Sequence, residues 1–256
     1  MCTPLDYYRN FFPFEKLFSG LFHGGNCVPF ENREISYGGS KRFNSYKKLE
    51  EFKQKCCSII PESLHIGAIY SEPPKKLSQN KHIIPMGREN VLDLDMNYES
   101  LRHNVCNCGS KKQMCNDCWS DVCIPILLII SECLTDLLGN DCSILFIYSG
   151  GKGVHVWFKD KENLLLFTQN DERDVLFSLI STNLGKYSCV IDKYVTTQIT
   201  HPVKIPFSLH PTTKNISIPI NPLDISTKTT LPTLTLQQLN KDNKLWIRGL
   251  ELLKSF

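Results

Sequence analysis

The chain has 256 residues, room for one large domain or two small ones, and a net charge of +3, which excludes a polycationic chain. Its apolar share of 41% and charged share of 21% are those of an ordinary globular protein rather than a disordered or fibrous one. The longest apolar run, Ile124 to Ile130, is too short to span a bilayer, and the amino terminus lacks the basic-then-apolar layout of a secretory signal. An intracellular protein with no membrane association is expected, its twelve cysteines serving as reduced thiols and metal ligands rather than disulfides.

Residues 5–22 carry aromatic and aliphatic side chains at near-helical spacing, broken at Pro13, and predict two short helices ending at Gly24-Gly25. Residues 33–46 read as a hairpin turning at Gly38-Gly39, and Lys47 to Lys55 as an amphipathic helix. His65 to Tyr70 predicts a strand, the Pro- and Lys-rich stretch after it a loop, and Val91 to Met96 a second strand. A cysteine-rich segment at 104–118 precedes an apolar helix at 119–138. Ile144–Tyr148 and Val154–Phe158 pair around the turn Ser149-Gly150-Gly151-Lys152-Gly153, and 171–184 is helical. Cys189 to Tyr194 is expected as a short strand carrying Asp192, 204–220 as a loop and the strand Ile-Ser-Ile-Pro-Ile, and Leu236 to Ser255 as a final helix. The expected architecture is α/β (α+β), a single domain over 1–256 with largely antiparallel sheets, flanking helices and a small metal-binding insertion at 103–118.

Three segments carry chemistry. In Val91-Leu92-Asp93-Leu94-Asp95-Met96, two carboxylates at i and i+2 of an apolar strand point to the same face. Such a like-charged pair is costly unless cations neutralise it, and hard divalent metals take carboxylate oxygens while leaving positions for phosphate. The second segment supplies four thiols, Cys106, Cys108, Cys115 and Cys118, the soft donors of a tetrahedral zinc site. Its first pair is tighter than usual, so His103 is an alternative to Cys106 or Cys108. With no water position implied this zinc is structural, of the kind that contributes about 10–16 kcal/mol in zinc-finger peptides. Cys123, Cys133 and Cys142 fall on apolar faces and read as core thiols. The third segment is the glycine turn, where backbone N–H groups, Ser149 and Lys152 suit a phosphate and His155 alternates toward the same side. It is not a Walker loop, because the spacing is wrong and a strand follows.

The collinear order of these pieces resembles the archaeal and eukaryotic DNA primase small (catalytic) subunits. The resemblance runs through Tyr7-to-Phe14, the Arg33–Tyr46 hairpin, His65–Ser71, the Asp93/Asp95 strand, the cysteines, Ser149–His155, Asp192 and Lys204-Ile205-Pro206-Phe207-Ser208-Leu209-His210. It implies a prim-type catalytic domain that makes short RNA primers on single-stranded DNA by two-metal nucleotidyl transfer. Asp93, Asp95 and Asp192 would then hold two Mg2+ or Mn2+ ions and the cysteines one Zn2+. Ser149, Lys152, His155, Lys204 and His210 would hold the nucleoside triphosphate, with Glu34 and Arg42 at further active-site positions. A primase large subunit, the DNA polymerase alpha complex and a nuclear location are implied in the same way. The chain departs from that pattern in Gly151, where a basic residue is usual, and in His65, where the sugar-contacting acid is usual. It departs also in the short span from Trp157 to Asp192, which marks a reduced version lacking most of the helical subdomain. A repair-type polymerase using deoxynucleotides and a non-catalytic zinc-bearing scaffold are the alternatives.

Overall fold

The computed structural model describes residues 2–18, 29–38, 41–96, 113–160, 168–221, 230–239 and 243–256. Two four-stranded sheets dominate, and every strand pair within them is antiparallel. In the first, β2 (His65–Tyr70) is flanked on one edge by β1 (Arg33–Ser36) and on the other by β3 (Pro85–Gly87) and β7 (Val203–Lys204). The second runs in the order β4 (Asn90–Asp95), β6 (Gly153–Lys159), β5 (Ser143–Tyr148), β8 (Ile218–Ile220). On β4, Leu92 and Leu94 are fully buried on one side of the ladder, and the alternation that buries them turns Asp93 and Asp95 to the other.

The helices cover the sheets. Thr3 and Asp6 form a reciprocal capping box that starts α1 (Pro4–Asn10), with Pro4 in the first turn, where its missing N–H costs nothing. Pro13 separates it from α2 (Phe14–Leu17). Tyr7, Tyr8, Phe12 and Phe14 meet edge-on, and Phe14 does the same against Phe52 of α3 (Leu49–Ile59). The apolar α4 (Ile124–Leu138) follows a π-helical turn, and α5 (Asn170–Leu184), α6 (Lys193–Thr197) and α7 (Lys244–Ser255) complete the set.

Two expectations are corrected. Asp192 does not sit in a strand: residues 185–190 form a 3-10 turn, and only Ile191 bridges to β4, at Leu94. The Asp192 carboxylate accepts the Val195 N–H at 2.9 Å, and that cap starts α6. The last helix begins at Lys244 rather than Leu236, because Asn243 is the capping residue and residues 236–238 form a turn. Strand β3 falls between the predicted loop and the acidic strand, in residues assigned to no element; its leading proline and its position at a sheet edge hide it from periodicity. The cysteine insertion is only half in view, since His103, Cys106 and Cys108 lie outside the described residues.

Between the sheets lies a group of buried charges. Arg33 forms a two-pronged ion pair with Glu89 and donates to the Gly67 carbonyl at 3.0 Å. Arg88 donates to the carbonyls of Val195 (2.9 Å) and His201, while Arg173 of α5 donates to those of Arg88, Glu89 and Thr196. Burial pushes the Arg88 guanidinium down to about 9, the neighbouring Arg173 adding to the effect. These bonds tie the segment from α6 to His201 against the start of β4. Arg88→Met leaves two carbonyls without their donor, and the expected loss is about 1–3 kcal/mol for each, measured by denaturant unfolding.

Candidate active site

A cleft of about 390 Å³ opens between the two sheets where β4, the β5–β6 turn and β7 converge. Asp93 and Asp95 enter it from β4, and Ser149, Lys152 and His155 from the turn and β6. Lys204 comes from β7 and His210 from the loop beyond it. His65, at the start of β2, pairs with Lys204 across the ladder and lines the same cleft. Asp93 and His155 are direct partners on the β4–β6 ladder, with His155 Nε2 3.5 Å from the carboxylate.

The glycine turn is fastened by its carbonyls. That of Gly150 (φ +84°) accepts from Thr213 Oγ1 at 2.7 Å and Asn215 Nδ2 at 3.1 Å. Gly151 accepts from the Tyr148 hydroxyl at 2.8 Å and the Met114 N–H at 3.0 Å, and Lys152 from the Met96 N–H at 3.3 Å. Three successive carbonyl oxygens are thereby held by the protein body, which removes their negative ends from competition with an anion. Ser149 Oγ accepts the N–H groups of Gly151 and Gly153, so its hydroxyl shapes the turn from within.

Burial pushes the Asp93 carboxyl up to about 6, with the nearby Asp192 charge adding to it and Lys204 opposing. Lys204 is lowered to about 8 by burial, with Asp93 holding it up, and its Nζ donates to the Ser149 carbonyl at 3.3 Å. His155 falls to about 3 and His210 to about 4, each through burial and then the Lys204 charge, so both rings are neutral near pH 7. The N–H groups of Thr212 and Thr213 donate to His210 Nδ1, which assigns the ring proton to Nε2. These histidines thus enter the cleft as neutral rings, not as the imidazolium acids that a leaving-group donor requires.

Asp192 stands at the edge of the cleft rather than in its lining. Its N–H donates to the Asp93 carbonyl at 2.8 Å, which fixes it beside β4, and its side chain is exposed and caps α6. Among the described residues no three Asp, Glu, His or Cys side chains are gathered into a ready cation cage. The donor chemistry nevertheless fits hard divalent ions: Asp93 and Asp95 share the cleft, and Asp93 already feels Asp192 as a like charge.

Glu34 and Arg42 meet each other instead of the cleft. Arg42 grips the buried Glu34 at 2.8 and 3.1 Å and donates to the Thr200 carbonyl at 2.6 Å, while the Tyr70 hydroxyl also reaches Glu34. Cys115 and Cys118 lie one turn apart, with the Cys118 N–H donating to Cys115 Sγ at 3.4 Å. Sequence reasoning missed His201, which lines the cleft with Nδ1 3.0 Å from the Pro202 carbonyl. A histidine directly before a proline, in the polar stretch from Thr196 to His201, was the signal available.

The DNA primase small-subunit family model matches residues 92–188, from the acidic strand through the glycine turn to the 3-10 segment before Asp192. The chain is related to the DNA primase small subunits. The Schizosaccharomyces pombe primase small subunit is 30% identical over 167 residues, 62% of this chain and 36% of that protein. The Saccharomyces cerevisiae primase small subunit is 29% identical over 178 residues, 66% of this chain and 42% of that one. The chain therefore spans less than half the length of these primase relatives. In three dimensions it is similar to the polymerase domain of Mycobacterium tuberculosis Ligase D in complex with DNA, at a TM-score of 0.58 and 13% identity, over 98% of this chain and 93% of that one. That likeness shows that the chain shares the fold of that domain.

The usual basic residue at position 151 has no room here. A Cβ on Gly151 would lie 2.4 Å from His210 Nε2, on a ring that two backbone N–H groups hold in place. Gly151→Arg is therefore expected to displace His210 and weaken, rather than tighten, nucleoside triphosphate binding. Calorimetric titration with a non-hydrolysable triphosphate measures the change.

Proposed function

We propose that the chain is a DNA primase catalytic subunit that joins ribonucleotides on a single-stranded DNA template. The observation that carries this reading is the convergence in one cleft of a strand-borne carboxylate pair with hydrogen-bond donors and ammonium groups from three other segments. Asp93 and Asp95, with Asp192 beside them, would hold two Mg2+ or Mn2+ ions. Bound there, such ions lower the pKa of an attacking 3′-hydroxyl and neutralise charge on the departing pyrophosphate. The chain's own contribution is to hold the triphosphate. Lys152 and Lys204 supply point charges, His210 Nε2–H a neutral donor, and the carbonyl-anchored turn a cradle free of competing oxygens. Arg42 and Glu34 lie outside the lining of the cleft, and Arg42 holds the Thr200 carbonyl and with it the approach to His201.

The remaining parts of the reading rest on family relationship. A primase large subunit and the polymerase alpha complex are the partners, and the nucleus is the place of action. Cys115 and Cys118, together with Cys106 and Cys108, hold a structural zinc. A second reading, incorporation of deoxynucleotides, draws support from His65. Burial lowers its ring to about 3, and its buried Nδ1 has no hydrogen-bond partner among the described residues, so a neutral ring stands where relatives carry a sugar-contacting acid.

Primer synthesis on single-stranded DNA with labelled ribonucleotides and Mg2+ or Mn2+, beside Asp95→Ala, tests the proposal. Metal-dependent oligoribonucleotides that vanish in the variant are the expected outcome; products from deoxynucleotides alone would favour the second reading. Silence in the presence of a large subunit overturns both and leaves the scaffold.

A pH dependence follows from Asp93. Its raised value, about 6 against the usual 3.8, stabilises the metal-free protein below the usual value and loses that contribution as pH rises toward 6. Divalent ions need the ionised form. The melting-temperature gain on adding Mg2+ or Mn2+ is therefore expected at pH 7.5 and largely absent at pH 5. At a hundredfold excess over Kd it corresponds to about 2.7 kcal/mol.

A further inference from the structure

Phe43 is held in a conformation that its side chain opposes. Its φ of +61° is left-handed, yet it is a bulky aromatic residue with 39% of its surface exposed. Burial of the ring does not account for it. The surroundings impose it: the Phe43 N–H donates to the buried Glu34 carboxylate at 3.3 Å, and the Arg42 guanidinium lies 4.7 Å from the ring centre. Arg42 is itself fixed by its bonds to Glu34 and to the Thr200 carbonyl. Strain maintained at an exposed position by an ion pair whose carboxylate is buried points to use of the displayed side chain.

A second aromatic residue is displayed nearby. Tyr194, on α6, is 64% exposed, and its ring meets that of His201 edge-on at 5.3 Å. Arg42 connects the two rings, since it covers Phe43 and holds the carbonyl of Thr200, next to the His201 that meets Tyr194. His201 and Val195, next to Tyr194, line the cleft, and Lys41, two residues before Phe43, lines an adjoining hollow that shares His65 and Lys204 with it. Exposed rings on a rigid base, interleaved with cations at the lip of a cleft, are the equipment of a sequence-tolerant single-strand surface, because every base has a face to stack. We propose that Phe43 and Tyr194 form a ledge on which unpaired bases of a single-stranded nucleic acid stack as it enters the cleft. The inference rests on the activity proposed above and adds the strand's path to it.

The test is fluorescence anisotropy of a labelled oligodeoxythymidylate with the whole chain in EDTA, without nucleotide, over a series of salt concentrations. Phe43→Gly and Tyr194→Ala are each expected to weaken binding about 5- to 100-fold. The salt slope should not change, because no phosphate contact is removed. Glycine accepts a positive φ freely, so Phe43→Gly should melt no lower than the parent, and Phe43→Trp should restore affinity. Parental affinity in folded Phe43→Gly and Tyr194→Ala, or no binding by the parent chain, overturns the ledge. Nucleotide incorporation is scored on the same preparations. Incorporation with ring-independent binding removes the ledge alone, and ring-dependent binding without incorporation removes the proposed activity alone.

Discussion

The cleft depends on a buried guanidinium. Arg88 sits at the threshold of β4 and draws two carbonyls to itself, one at Val195 and one at His201. Val195 lies in α6 and His201 in the stretch that joins it to β7, so the bond pair sets where both lie against the acidic strand. Asp192 hydrogen-bonds its backbone to Asp93 because its own segment is held there. A lysine, with one compact charge, has no fork with which to span two carbonyls at fixed separation. Burying this charge is costly, and its lowered pKa records that cost; Glu89 and Asp93 are the anions that offset it, while Arg173 and Arg33 add to it.

The same arrangement explains the electrostatics of the cleft. Cationic groups stand behind and beside Asp93, and Lys204 faces it across the opening. The histidines are neutral because burial and the lysine charge both disfavour protonation. Positive charge in the cleft thus resides on lysines, while the rings supply shape and hydrogen bonds. His210 does both, for its Nδ1 is anchored by backbone while its Nε2 fills the space beside Gly151.

Much of this was legible in the sequence, and the reason is locality. Alternation in Val91–Met96 reports which way Asp93 and Asp95 face, and a glycine turn between two apolar runs reports its own hairpin. The run from Lys204 to His210 was placed at the site by resemblance, and both its ends do reach the cleft. What escaped depends on partners remote in sequence. Arg88-Glu89-Asn90 falls in no element read from the sequence, yet all three residues are buried, because their partners come from β1, α5 and the chain near 200. Asp192 was placed in a strand since nothing local distinguishes a helix cap from a strand end. Glu34 and Arg42 were placed at the site as separate active-site positions, and nothing in their spacing says that they neutralise each other behind it.

Met96 and Met114 each give their backbone N–H to the glycine turn, one to the Lys152 carbonyl and the other to that of Gly151. The chain therefore leaves the acidic strand and returns toward α4 at two adjacent points on the same turn. Whatever length of polypeptide joins them begins and ends on neighbouring residues, and loop closure grows only slowly more costly with length. The turn acts as a common mooring: the end of the acidic strand and the approach to α4 are each tied directly to it, so neither depends on the other for its position beside the cleft.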